Sequence, residues 1–261
     1  MSNKKFRYIY GPVSSWRLGS SLGIDPISNP KKLCTFDCVY CQLGRTKVFR
    51  KKRLIYIPTR EIIKEIKRLP PVKIDYITFS GMGEPTLAKN LGEIISKLKD
   101  IRQEPIAVIS NASLIYRVDV QRDLRLADLV MLKIDAPTQD MFTKINRPIK
   151  SLRFSKIIDG IKRFRSIYKG RLAIQIMFIE KNKGLAKEIA QLVKRLSPDE
   201  VQLSTPLRPC AVMPLPKEEF VSIKRHFKDI EGKVICVYDV KKKKTDSIDK
   251  IATLMRRGRY D

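Results

Sequence analysis

Three cysteines fall within the eight-residue stretch CTFDCVYC, at Cys34, Cys38 and Cys41. Clustered thiolates bind zinc or iron–sulfur clusters. A structural zinc site takes four ligands, often as two closely spaced pairs. No second pair exists here, and the single histidine, His226, falls in a late helical segment. A cubane [4Fe–4S] cluster also usually takes four cysteines. Cys-x3-Cys-x2-Cys supplies three from one compact loop and leaves the fourth iron to a ligand that is not protein. An open metal position beside a pocket is a catalytic arrangement, as at catalytic zinc. Cys210 and Cys236 lie far away in sequence, and an odd total of five argues against a disulfide framework. Cys236 sits in an apolar run and reads as core. Cys210 follows a predicted strand, where it could donate a hydrogen atom or anchor a substrate; the plainer reading is a small buried apolar residue.

Such a loop needs a scaffold. Short apolar runs rich in β-branched residues span Ser21 to Ile27, Ile74 to Ser80, Ile106 to Ser110, Leu129 to Asp135, Leu172 to Ile179 and Val201 to Leu207. Most are continuous rather than alternating, which suits strands buried on both faces of a parallel sheet. Helical spacing links Ile62, Ile63, Ile66 and Leu69, then Leu91, Ile94, Ile95 and Leu98. It recurs from Leu152 to Ile167, from Leu185 to Leu196 and from Phe220 to Phe227. Strand and helix alternate about six times, and right-handed crossovers wind such a repeat in one direction. The expected fold is α/β, a partial (βα)6 TIM-like barrel with a parallel sheet. Residues 1–235 form its core domain with an N-terminal extension, and 236–261 a basic C-terminal tail with a short helix. Ligand sites form where such strands end. The loops there are the cysteine loop, GMGEPT (Gly81 to Thr86), SNAS (Ser110 to Ser113), KIDAPT (Lys133 to Thr138) and TPLRPC (Thr205 to Cys210).

The charge is strongly one-sided: 54 Lys and Arg against 27 Asp and Glu, a net +27. Such a field attracts polyanions; a lysine-rich solvated surface is the bland alternative. The densest run, Lys241 to Lys244, reads as a solvated turn. The opening MSNKKFRYIY holds no apolar run that could act as a secretory signal, and apolar runs elsewhere are strand-sized. The expectation is therefore a cytoplasmic protein with no membrane span.

CTFDCVYC resembles the radical S-adenosylmethionine (SAM) signature, Cys-x3-Cys-x-aromatic-Cys, with Tyr40 in the aromatic position. GMGEP resembles the superfamily's Gly-Gly-Glu-Pro motif, with Met82 separating the glycines. YGPVSSWRLGSSLGI (Tyr10 to Ile24), CQLGRT (Cys41 to Thr46), TFSGMGEPTL (Thr78 to Leu87) and INRP (Ile145 to Pro148) resemble one branch of it. That branch comprises Fe–S oxidoreductases related to wyosine-synthesis and molybdenum-cofactor-synthesis radical SAM proteins, and the likeness runs from about Tyr10 to Pro209. The resemblance implies a radical SAM barrel carrying one [4Fe–4S] cluster on Cys34, Cys38 and Cys41, with SAM on the open iron. Reductive cleavage would yield a 5′-deoxyadenosyl radical that abstracts a substrate hydrogen. Gly81 and Gly83 would admit the methionyl end, and Glu84 would accept from its ammonium group. Ser110, Asn111, Lys133 and Asp135 would meet its carboxylate or ribose. Ser110 and Asn111 also fit a simple turn, and Lys133 with Asp135 a structural ion pair. Arg17, beside Trp16, would touch substrate or cluster, or lie on the surface. An electron donor of the flavodoxin or ferredoxin kind is implied. The charge joins these features into an RNA, most economically tRNA, as substrate. The alternatives are a protein or peptide substrate, and a zinc or Fe–S RNA-binding module without SAM chemistry.

Overall fold

A computed structural model describes residues 6–241 and 243–257. Lys242, within the lysine run, and the chain after Arg257 lie outside the described residues. Ten strands are present among the described residues: β1 (Ile9–Ser15), β2 (Gly19–Ile24), β3 (Leu33–Cys34), β4 (Val48–Phe49), β5 (Tyr76–Phe79), β6 (Ile106–Ser110), β7 (Leu129–Lys133), β8 (Arg171–Met177), β9 (Glu200–Ser204) and β10 (Lys233–Cys236). Helices α1 (Thr59–Lys67), α2 (Leu91–Lys99), α3 (Val118–Leu124), α4 (Gln139–Asn146), α5 (Phe154–Ile167), α6 (Ala186–Lys194), α7 (Lys217–Arg225) and α8 (Lys250–Arg257) lie between or after them.

The main sheet has the order β1-β2-β5-β6-β7-β8-β9-β10. From β2 to β10 every neighbouring pair is parallel. It curls into the half-barrel expected from the repeat. The expected strands fall on β2 and β5 to β9, and the expected helices on α1, α2, α5, α6 and α7. β1 was not foreseen. It pairs antiparallel with β2, and Gly11 and Pro12 interrupt its register between Tyr10 and Val13. Proline cannot donate to a ladder, so such a strand belongs at an edge. The short α3 and α4 also went unforeseen.

The two faces of the sheet differ. On β9, Val201 and Leu203 join the core beneath the helices, while Glu200, Gln202 and Ser204 alternate with them and are also buried. Period-two alternation aims that polar set into the barrel. Outside, Phe178 packs edge-on against Phe220 of α7 and Phe227, fastening that helix to the sheet. After β10 the chain returns to β1. Asp249 caps α8 through Ala252 N at 2.8 Å, and Thr253 Oγ1 accepts from Gly11 N at 2.9 Å. No helix among the described residues is long and apolar enough to cross a membrane.

Candidate active site

The cysteine strand is fastened directly to GMGEP. Leu33 N donates to Met82 O at 3.0 Å, and Glu84 N to Leu33 O at 3.1 Å. Gly83 has φ +155°, and a Cβ there would lie 1.7 Å from the Leu33 carbonyl oxygen. A Cβ on Gly81 would meet the Asp25 carboxyl carbon at 2.3 Å. The protein's own packing therefore demands both glycines, and both line the cavity described below. Beyond Cys34 the loop is closed by Asp37, whose Oδ1 accepts from Thr46 N at 2.6 Å. Val39 N donates to Ile145 O at 2.9 Å, docking the loop on the end of α4.

All three cysteines are free thiols and line one cavity of about 420 Å³. Asn111 Nδ2 donates to Cys34 Sγ at 3.4 Å, and Asn146 Nδ2 to Cys38 Sγ at 3.5 Å. Burial pushes the Cys34 thiol up to about 12, with the Glu84 carboxylate adding to it, and Cys38 up to about 11, with Asp135 adding. Lys32 is buried beside them, its Nζ 2.9 Å from the Gly44 carbonyl. Burial alone would pull its ammonium down, but interaction with the facing Cys41 and Cys34 side chains outweighs that and holds it above its usual value. Among the described residues no group of three His, Cys, Asp or Glu side chains is set to hold a single ion. Three thiols around a wider cavity, backed by amide and ammonium donors, suit a multi-iron cluster, which distributes its cysteines over different irons. Metal loading must displace the thiol protons.

Glu84 follows Gly83 at 2% exposure. Its Oε1 accepts from Thr86 N (3.1 Å), Thr86 Oγ1 (2.7 Å) and Ser110 Oγ (2.8 Å); its Oε2 accepts from Asn111 N (2.7 Å). Burial raises its pKa, and the hydrogen bond from Asn111 N–H opposes the rise most strongly. Ser110 and Asn111 thus orient Glu84, and all three line the cavity. Tyr40 and Lys133 also line it, with the Lys133 Nζ 4.9 Å from the Tyr40 ring centroid. Asp135 lies behind them. It accepts from the Tyr40 hydroxyl, from Asn146 Nδ2 at 2.7 Å and from Met177 N at 2.8 Å, and pairs with Lys133 at 3.5 Å. It is not among the lining residues, so its carboxylate serves Tyr40 rather than a ligand. Cys210 is also outside the lining. Its thiol turns to the Val212 carbonyl at 3.2 Å and packs beside Val39, Tyr40, Ile145 and Ile179. His226 stands exposed at the end of α7, and Cys236 is buried in the core.

Sequence reasoning singled out Arg17, which lines the cavity, but passed over Lys32, Asn146, Arg208, Arg256 and Arg257. Lys32 had one signal, a cation two residues before the first cysteine. Asn146 lies inside INRP, quoted above for its resemblance but given no role.

A family model described as the radical SAM superfamily matches residues 28–202. The chain is 41% identical over 208 residues to a UPF0026 protein of Synechocystis, covering 79% of this chain and 78% of that one. It is 38% identical over 258 residues to a Brachyspira hyodysenteriae protein named GTPase Obg, covering 95% of this chain but 38% of that longer protein. A probable GTP 3′,8-cyclase of Saccharolobus solfataricus is 26% identical, covering 65% of this chain and 53% of that protein. Among solved structures, anSMEcpe with bound AdoMet superimposes with TM-score 0.62 at 18% identity, covering 84% of this chain and 64% of that one. Archaeal TYW1 does so with TM-score 0.57 at 15% identity, covering 80% and 72%. The structures share the fold, and the family match bears out the resemblance drawn from the motifs.

Proposed function

The chain belongs to the radical SAM superfamily, and we propose that this enzyme acts on an RNA in the cytoplasm, at a base or ribose. Superfamily members carry a [4Fe–4S] cluster and bind SAM; the bound pair supplies an electron and then a 5′-deoxyadenosyl radical that takes a hydrogen atom from substrate. The observation that carries the reading is the convergence of Cys34, Cys38, Cys41 and Glu84 on one cavity. In this reading the cysteines hold three irons, while Lys32, Asn111 and Asn146 direct positive charge or N–H groups at their sulfurs. Hydrogen bonds to cluster sulfurs tune its potential. Glu84 Oε2, with one donor on it, accepts the ammonium of SAM in a charge-assisted bond. Lys133 reaches carboxylate or ribose, and Asp135 fixes the Tyr40 ring through its hydroxyl. An electron donor of the flavodoxin or ferredoxin kind reduces the cluster.

The RNA assignment is supported by the +27 charge and by a cavity lined by four arginines. The Saccharolobus relative, a probable GTP 3′,8-cyclase, is a further nucleotide connection. The test is anaerobic SAM cleavage by cluster-loaded protein with and without cellular RNA. RNA should raise 5′-deoxyadenosine formation, and nuclease should abolish the rise. Cleavage indifferent to RNA and nuclease would contradict the substrate assignment while leaving the chemistry intact.

A further inference from the structure

The cavity extends beyond the cysteine loop. Trp16 and Arg17 sit in the turn between β1 and β2, where the parallel strands begin, whereas the cysteine loop lies where they finish; both line the same cavity. Three further arginines line it: Arg208, on the loop after β9, and Arg256 and Arg257, in the last turn of α8. Arg208 Nη1 donates to the Arg257 carbonyl at 2.8 Å, joining that loop to the helix. The Arg17 guanidinium stands 5.0 Å from the Trp16 ring centroid. Its Nε is buried with no hydrogen-bond partner, and a buried donor left unpaired is rare in native structures. Among the described residues neither Arg17 nor Arg257 forms an ion pair. Arg256 behaves differently: it is 3.2 Å from Asp25 and donates to Ser28 Oγ at 2.7 Å, so its charge is used within the fold. Burial, then repulsion from Arg208 and Arg257, pulls the Arg17 guanidinium down to about 10. The carboxylate that opposes this is Glu200, whose Oε1 already accepts from Gln202 Nε2 at 2.6 Å.

We propose that Arg17, Arg208 and Arg257 form an anion subsite that seats a phosphate group of the substrate. Guanidinium forks match phosphate oxygens in pairs, and converging cations suit a group with more than one negative charge. The seat and the cysteine loop, lining one cavity, then hold the substrate between them. The proposal rests on the RNA reading for the carrier of that phosphate, but the subsite stands or falls separately.

Trp16 is the single tryptophan of the chain, so its emission reports on its neighbour Arg17. The cluster-loaded protein is dialysed to equilibrium against labelled inorganic phosphate at constant ionic strength, with acetate as control anion. We expect saturable binding of one phosphate per chain, tracked by Trp16 emission and not displaced by acetate. Arg208→Gln and Arg257→Gln should each weaken it by about tenfold or more, the loss of one charge-assisted bond. Lys217→Gln, on the exposed face of α7, should leave it unchanged. Thermal melts check that the variants are folded. Absence of saturable binding, or binding retained in both arginine variants, overturns the subsite. Anisotropy with labelled tRNA separates the two readings. Phosphate binding without tRNA binding keeps the subsite and removes the RNA reading. tRNA binding without a phosphate site does the reverse.

Discussion

At Gly83 one absent methyl group decides where the cysteines sit. A Cβ there would meet backbone, the Leu33 carbonyl, which cannot swing aside as a side chain would. Gly83→Ala should therefore displace the strand leading into Cys34, and iron bound per chain after reconstitution should fall sharply. Gly184→Ala, with nothing within 4 Å of its new methyl, should load normally; equal loading of the two would contradict the account. Asp135 is the second sensitive position. Replacing it with alanine leaves the Tyr40 hydroxyl and Met177 N–H without their acceptor, while Asn146 keeps Cys38 Sγ and the Tyr40 oxygen. Stranded buried donors cost about 1–3 kcal/mol each, so Asp135→Ala should lose at least about 2 kcal/mol in denaturant unfolding. The cysteines and Glu84 were legible from residue type and spacing. Where Asp135 and Cys210 point was not. The first is engaged by donors from three separate segments, and the second is turned away by the bend after β9. Neither cause is local in sequence.

Arg53 ties three elements together. Its Nε donates to Thr86 O and its Nη2 to Ala88 O, both at 2.8 Å, and the same guanidinium pairs with Asp123 and with Asp119 at 2.9 Å. It thereby joins the segment after β4 to the turn that follows Glu84 and to α3. Arg53→Met strands two carbonyls and the buried Asp123 carboxylate, while Asp119 keeps Arg117, and breaking a buried pair in this way costs about 3–5 kcal/mol. The hydrogen bond from Arg117, with Arg53 behind it and burial opposing, holds the Asp119 carboxyl well below the usual range. Its stabilisation is therefore present above the unfolded pKa, near ~3.9, and is lost as pH falls toward the lower folded value. Melts of the parent and Asp119→Asn should differ at neutral pH, and the gap should start to close below about pH 4 and narrow progressively as the pH falls further. A gap independent of pH would contradict this. Continuous apolar runs made the parallel strands readable. β1 was hidden because Gly11 and Pro12 interrupt it, α3 because seven residues carry little periodicity, and Arg53 because nothing local distinguishes it from the surrounding basic residues.

Over the whole molecule, curling the sheet brings loops from distant parts of the chain to one cavity lined by both thiols and guanidiniums. The alternation of strand and helix was enough to imply the rim, whereas the arginine cluster depends on α8 closing against β1, which no pattern in the sequence announces. The net charge of +27 makes a prediction at this scale. Affinity for RNA should fall with salt on a log–log plot, by about −0.7 for each single-strand phosphate neutralised; a flat response would contradict an RNA partner. The central claim is the open-iron chemistry at Cys34, Cys38 and Cys41. It is tested most directly by reconstituting the parent and Cys38→Ala with iron and sulfide without oxygen, then adding dithionite and SAM and measuring 5′-deoxyadenosine. The account predicts the nucleoside from the parent alone, together with a SAM-dependent change in the electron paramagnetic resonance signal of the reduced cluster. A fully loaded parent that yields no nucleoside and whose signal ignores SAM would contradict it.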